Sequence, residues 1–474
     1  MHRFATGVVL AVLVASGARV PVRAAGETAG SAPGAAGRVI LDEGSSWRMF
    51  AAWNTPMVRK GQELKEDGGN GGTQFAARTA PPPDGWVRPD FVDEAWSRVR
   101  WGRSHGKAYE YGWGGDAPSP TLSLLCLRGK FAVEDPAQVK GLSLSLVYRG
   151  GAVVYVNGRE VARAHLPKEG KIEPGTLAEE YPPECFEHAE VIRGTKSILE
   201  AFGQPEKYRE QIEKRVRRLE NVAIDAKFLR PGANVLAVEV HRAPYYGNGL
   251  SGDHMNNPSV WSPCAMVDLS LRAEGGVTPN TSRPAGIQVW AANVMHRPSP
   301  LEYGDPLEKA EPVSIVACRN GAFDGRVMVT SDKAISGIKA QASELKYVAP
   351  PPSAASGHPG AGVPQPIPAA NVRLFYTIRD DAQAMRYGVP AGGFWDSLSD
   401  DPPAKADVVP PGGAAQSILL KVRVPADAAP GDYAGKLTVS ADGLAPTDVP
   451  VNLRVVAWTL PDPKDFGTHN GIIQ

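Results

Sequence analysis

The stretch "GAVVYVNGREVAR", Gly151 to Arg163, sets the tightest limit on what this chain can fold into. The β-branched and aromatic run "VVYV" and the segment "REVAR" flank Asn157-Gly158. That dipeptide supplies the two positive φ angles of a two-residue type I′ turn. Such a turn between two strand-forming runs predicts an antiparallel hairpin. Strand patterns recur in "LCLRGKFAV" (Leu125 to Val133), "GLSLSLVYRG" (Gly141 to Gly150), "NVLAVEV" (Asn234 to Val240) and "VPVNLRVVAW" (Val449 to Trp458), with turn residues between them. The 51 glycines and 43 prolines supply those turns, and a hydrophobic content of 42% is enough for sizeable cores. The expectation is an all-β chain with two successive β-sandwich regions.

One segment breaks the pattern. In "QPEKYREQIEKRVRRLENV", 204–222, Tyr208, Ile212, Val216 and Leu219 stand at helical spacing behind Pro205, which predicts a helical insertion.

Residues 1–24 have the layout of an export signal: His2 and Arg3, a short apolar run, then small residues before Ala25. A secreted or periplasmic protein is expected, with a flexible lead-in at 25–37. Lys plus Arg and Asp plus Glu both number 51, which gives no reason to expect a nucleic-acid partner or an electrostatic hold on a membrane. No phosphate-binding loop, nucleophile elbow or H-E-x-x-H motif occurs, so no cofactor is expected.

The four cysteines, Cys126, Cys185, Cys264 and Cys318, form no C-x-x-C pair, and no metal site is expected. Export permits disulfides, and a Cys185–Cys264 bridge is one option that spacing alone cannot settle. Asn280-Thr281-Ser282 is a glycosylation sequon, of consequence in a eukaryotic source.

Two stretches resemble known families. "FVDEAWSRVRWG" (Phe91 to Gly102), "VYVNGREVAR" (Val154 to Arg163) and "FLRPGANVLAVEVHRA" (Phe228 to Ala243) resemble the galactose-binding-like jelly roll that serves as the sugar-binding domain of large glycoside hydrolases. This resemblance implies a jelly roll over 38–274, with a linker at 275–284. "VRVPADAAPGDYAGKLTVS" and "VPVNLRVVAWTLPDP", within Val422 to Pro463, resemble the sandwich preceding the catalytic barrel in relatives of family 123 glycoside hydrolases. That implies an immunoglobulin-like sandwich over 285–460 and a linker at 461–474 leading towards a missing C-terminal catalytic domain. In those relatives an Asp-Glu pair of the (β/α)₈ barrel performs substrate-assisted cleavage of N-acetylhexosaminides.

Glycoside hydrolysis needs two carboxyl groups facing one cleft. The adjacent acidic pairs Asp93-Glu94, Asp380-Asp381 and Asp400-Asp401 all lie in turn phrases, where Asp favours local backbone hydrogen bonds. Catalysis is therefore not assigned to any of them. Sugar binding is the better candidate, because Tyr and Trp stack on sugar C–H faces while Asn, Asp and Arg take the hydroxyls. The segment 239–261 collects His241, Arg242, Tyr245, Tyr246, Asp253, His254 and Asn256 after a strand, as glycan-binding candidates. The competing reading of that loop is an interface, within a purely structural module that has no ligand. The expected partner is thus a glycan or polysaccharide, alongside the catalytic domain.

Overall fold

The computed structural model describes residues 37–69, 76–99, 120–192, 195–197, 209–247, 261–294, 302–348, 364–380, 394–410 and 412–465. The expected signal at 1–24, and Asp253, His254 and Asn256, lie outside the described residues. The chain is all-β, as its periodicity predicts. Among the described residues no helix is long and apolar enough to cross a membrane.

Two sheets enclose the first core. The smaller orders Arg38–Asp42, Ala265–Ala273, Ser143–Arg149 and Arg217–Ala223. The larger runs Ser97–Val99, Trp47–Trp53, Leu122–Val133, Gly232–His241, Gly151–Val156 and Arg159–Ala164, with Val277–Thr278 also paired to Leu122–Val133. Alternate residues meet in the interior: Leu144, Leu146 and Leu271 from the first sheet, Leu125, Leu127, Leu236, Val238 and Val240 from the second. Each such buried side chain stabilises the fold by about 1.5–3 kcal/mol.

The Asn157-Gly158 turn forms as expected, with φ of 51° and 83°. Trp47 enters the interior by lying over Gly129, where a β-carbon would come within 2.7 Å of its ring. The Trp47 indole N–H is satisfied by Asp42 O at 2.8 Å.

The second core lies between the sheet Ile287–Ala292, Ala322–Ser331, Ala414–Arg423, Val372–Asp380, Phe394–Ser399 and the sheet Val313–Arg319, Leu444–Thr459, Gly431–Ala441, Lys339–Ala342. Val327, Val329, Ile418, Leu420, Leu437, Val451 and Leu453 fill it. Buried Tyr433 donates its hydroxyl to Ala429 O at 2.8 Å, pinning the turn before its own strand in the manner of a tyrosine corner.

The predicted helical insertion is corrected. Among the described residues of that segment only Arg209–Glu213 is helical, and Arg217–Ala223 is an edge strand of the smaller first sheet. Leu219 pairs with Leu146 and Val222 with Leu144, so the edge strand carries one extra residue, a β-bulge, with Asn221 at φ 52°. The bulge brings Leu219 and Val222 to the same core although they are three apart. That spacing imitates a helix.

The Cys185–Cys264 bridge is not made. Cys264 belongs to the first core and donates its Sγ to Val240 O, whereas Cys185 lies in a separate cluster with Phe186 and Trp261. Burial pushes the two thiols up to about 11 for Cys185 and about 12 for Cys264. The sequon is also closed in this fold: Asn280 is buried and its amide donates to Lys130 O and Asp305 Oδ1, both at 3.0 Å.

Candidate functional site

The outer face of the larger first sheet carries the polar side chains of interest, in rows that cross the strands. One row reads Phe50, Cys126, Glu239, Val153, Arg163. The next reads Ala52, Leu124, His241, Gly151. On the other side runs Arg98, Arg48, Arg128, Ala237, Tyr155, Glu160. Two apolar clusters cap this face. Trp86, Trp96 and Leu124 form one, and Leu166, Tyr181, Phe186 and Trp261 belong to the other.

Glu239 and His241 stand two residues apart on one strand and so share this face. Glu239 Oε1 is 2.5 Å from His241 Nε2, and His241 Nδ1 is 3.0 Å from Thr176 O. A carbonyl can only accept, so Nδ1 carries a hydrogen. A second proton must lie between Nε2 and the carboxylate. Tyr155, half-buried beside this pair, has its phenol pushed well above its usual range by burial and then by Glu239.

The four described glycan-binding candidates, His241, Arg242, Tyr245 and Tyr246, do not form an open site. His241, Arg242 and Tyr245 are buried. Arg242 donates to Asn54 O at 3.0 Å and Thr55 O at 2.9 Å, tying a distant loop to the strand end. Burial depresses its guanidinium pKa. Tyr245 packs near Phe186, with ring centroids 6.3 Å apart. Tyr246 is half-buried, 6.4 Å from the same ring. The expected sugar-facing role of His241, Arg242 and Tyr245 is therefore corrected: strand-end polarity here serves internal hydrogen bonds beneath a covering segment. That cover, Leu166 to Phe186, lies far back in the chain, and nothing local in "EVHRAPYY" announces it.

Sequence reasoning missed Glu239, Tyr155 and the arginine row. Period-two parity could have placed Glu239 on one face with His241, since they are i and i+2 in "NVLAVEVH", whereas Tyr155 and the arginines need the sheet registers.

Asp93, from the phrase "FVDEAW", accepts from Arg128 Nε at 2.8 Å. Arg128 in turn donates to the carbonyls of Trp86 and Arg88. The phrase thus anchors the Trp86–Trp96 pair, whose rings lie 5.5 Å apart, and Trp96 is core. Oxygens of Asp93, Glu308 and Glu311 approach within 4.8 Å of one another. Arg48, Arg98, Arg128 and Lys130 already engage these carboxylates. A cation there would face four fixed positive charges, so the residues do not fit a metal.

No family model matches the sequence, and no curated protein matches it. Solved structures give faint likenesses. A family 123 glycoside hydrolase from Clostridium perfringens shares 13% identity over 38% of this chain and 29% of its own, with a TM-score of 0.25. A β-glucuronidase from Ruminococcus gnavus shares 9% over 86% of this chain and 45% of its own, with a TM-score of 0.20. The Escherichia coli fimbrial adhesin subunit CfaE shares 11% over 87% and 93%, with a TM-score of 0.15. This chain therefore spans less than half the length of the first two. The likenesses are of β-sandwich architecture only, and at these scores they carry no argument about activity.

Proposed function

We propose that this chain is an exported accessory region of a carbohydrate-active protein, a pair of β-sandwiches that holds and orients a catalytic unit rather than cleaving glycan itself. The observation that carries the reading is the inward placement of His241, Arg242 and Tyr245, which spends the best sugar-gripping residues on the fold. The carbohydrate-active context comes from the resemblance of "VYVNG", "GANVLAV" and "APGDYAGKL" to segments of glycoside hydrolases, and the same resemblance supplies a (β/α)₈ barrel as partner. Export rests on the layout of residues 1–24.

Direct glycan contact is the second reading. Tyr155 and Tyr246 are half-buried aromatic rings, and the first neighbours the Glu239 carboxylate. A sugar could stack its C–H face on such a ring while a hydroxyl reaches the acid. A glycan array probed with the purified chain, and with its Tyr155→Ala and Tyr246→Ala variants, separates the two. Scaffolding expects no glycan to be retained. Binding lost in either variant would replace scaffolding with glycan contact, and hydrolysis of a glycoside by the purified chain would remove both.

A further inference from the structure

The segment Tyr303–Glu311 lies in the chain between two strands of the second core, yet its carboxylates are bonded to strands of the first. Glu308 accepts from Arg48 at 2.8 and 3.1 Å and from Lys130 at 3.1 Å, and it lies 2.6 Å from Arg98 Nη2. Glu311 pairs with Arg48 as well. The turn that presents Glu308 is built by Asp305, whose Oδ1 accepts from Leu307 N at 2.9 Å and from the crossover residue Asn280 at 3.0 Å. Arg98 also rests on Trp290, on the strand Ile287–Ala292 of the second sandwich, 4.8 Å from the ring centroid. Among the described residues no buried apolar cluster contains members of both cores.

We infer that Tyr303–Glu311 is a clasp that locks the two β-sandwiches into one body, with Glu308 as its keystone. Arg98, Arg48 and Arg128 stand directly opposite one another on adjacent strands, an arrangement that repels itself unless neutralised. Glu308 and Glu311 neutralise one end of the row and Asp93 the other. Without Glu308, buried guanidinium groups would lose their counter-charge, and water must enter between the cores to solvate them. The contact then opens as a unit, because no apolar seam among the described residues holds it shut. The inference goes beyond the scaffolding role and stands without any glycan.

Calorimetry of the full chain tests it. The wild type is expected to unfold in one transition. Glu308→Ala is expected to resolve two, with the open form about a hundredfold or more commoner, the scale on which removing one partner of a buried ion pair acts. Glu308→Gln, which keeps the side chain's shape, should show the same splitting in milder form. Glu311→Gln, at the more exposed rim, should keep a single transition. Two transitions in the wild type, or one unchanged transition in both Glu308 variants, would overturn the clasp. So would failure of either core to fold in both variants, since the segment would then belong to a single core.

Discussion

The side chains of Asn157 and Asn234 meet at 2.7 Å, the amide of the first donating to Oδ1 of the second. Two of the three phrases that carry the jelly-roll resemblance, through their "VNG" and "GAN", thus close on one another. Asn157 also donates to Phe228 O and accepts from Val235 N, while buried Asn234 binds Arg230 O and Gly232 O. The pair welds a hairpin turn to the start of the neighbouring strand. Asn234→Ala should lower stability by about 2–3 kcal/mol, since each lost partner leaves a buried polar group unpaired. Urea unfolding measures this, and a change below half a kcal/mol would show the pair to be incidental.

Much of the architecture was legible because period-two alternation and turn chemistry are local. The strand Arg217–Ala223 was not, because its extra residue disguised it. Asn221 holds φ 52° and its N–H donates to Ser145 Oγ at 3.1 Å, so the bulge is built in. Asn221→Gly should be neutral or slightly stabilising, whereas Asn221→Val should cost about 1–2 kcal/mol, because a β-branched residue resists positive φ. Thermal unfolding of both variants checks the sign. Equal effects would mean that the backbone there relaxes freely.

The interior supplies a sharper steric test. Gly129 sits under the Trp47 ring, opposite it on the neighbouring strand. Gly129→Ala should destabilise by roughly 1–3 kcal/mol through overpacking, even though alanine favours strand backbone over glycine. A shift in tryptophan emission should accompany it.

The candidate site was less readable than the fold. "EVHRAPYY" reads as a polar segment on an exposed end, and its burial depends on Leu166, Phe186 and Trp261 arriving from elsewhere in the chain. The arginine row was similarly hidden. Arg48, Arg98 and Arg128 come from three separate strands, and only the sheet registers set them side by side.

Acid should act on the clasp through Glu308. Burial alone would raise its pKa, but Arg98, Arg48 and Lys130 together overcome this and hold it at about 2, against an ordinary 4.5. A carboxyl depressed in the folded state stabilises above its unfolded value. That contribution, roughly 3 kcal/mol, should fade as pH falls from about 4.5 towards 2. Glu311 is raised by burial, so its protonation on acidification relieves strain rather than adding it. The wild type should therefore lose more stability below pH 4.5 than Glu308→Gln does. Parallel acid titrations of the two would refute this assignment.

The proton between Glu239 and His241 gives a direct spectroscopic handle. His241 is fully buried with Nδ1 committed to Thr176 O, so the Nε2 proton can exchange with solvent only when the covering segment opens. A charge-assisted hydrogen bond to the Glu239 carboxylate moves that proton downfield. Wild-type protein should show a slowly exchanging, far-downfield imidazole resonance. Glu239→Gln can still offer an amide N–H to a neutral ring, so the fold should survive at a cost of about 1–3 kcal/mol while that resonance disappears. Glu239→Ala removes the partner outright and should cost more. If the downfield signal is absent from the wild type, or persists in Glu239→Gln, the pair does not share a proton and the ring is held by Thr176 alone.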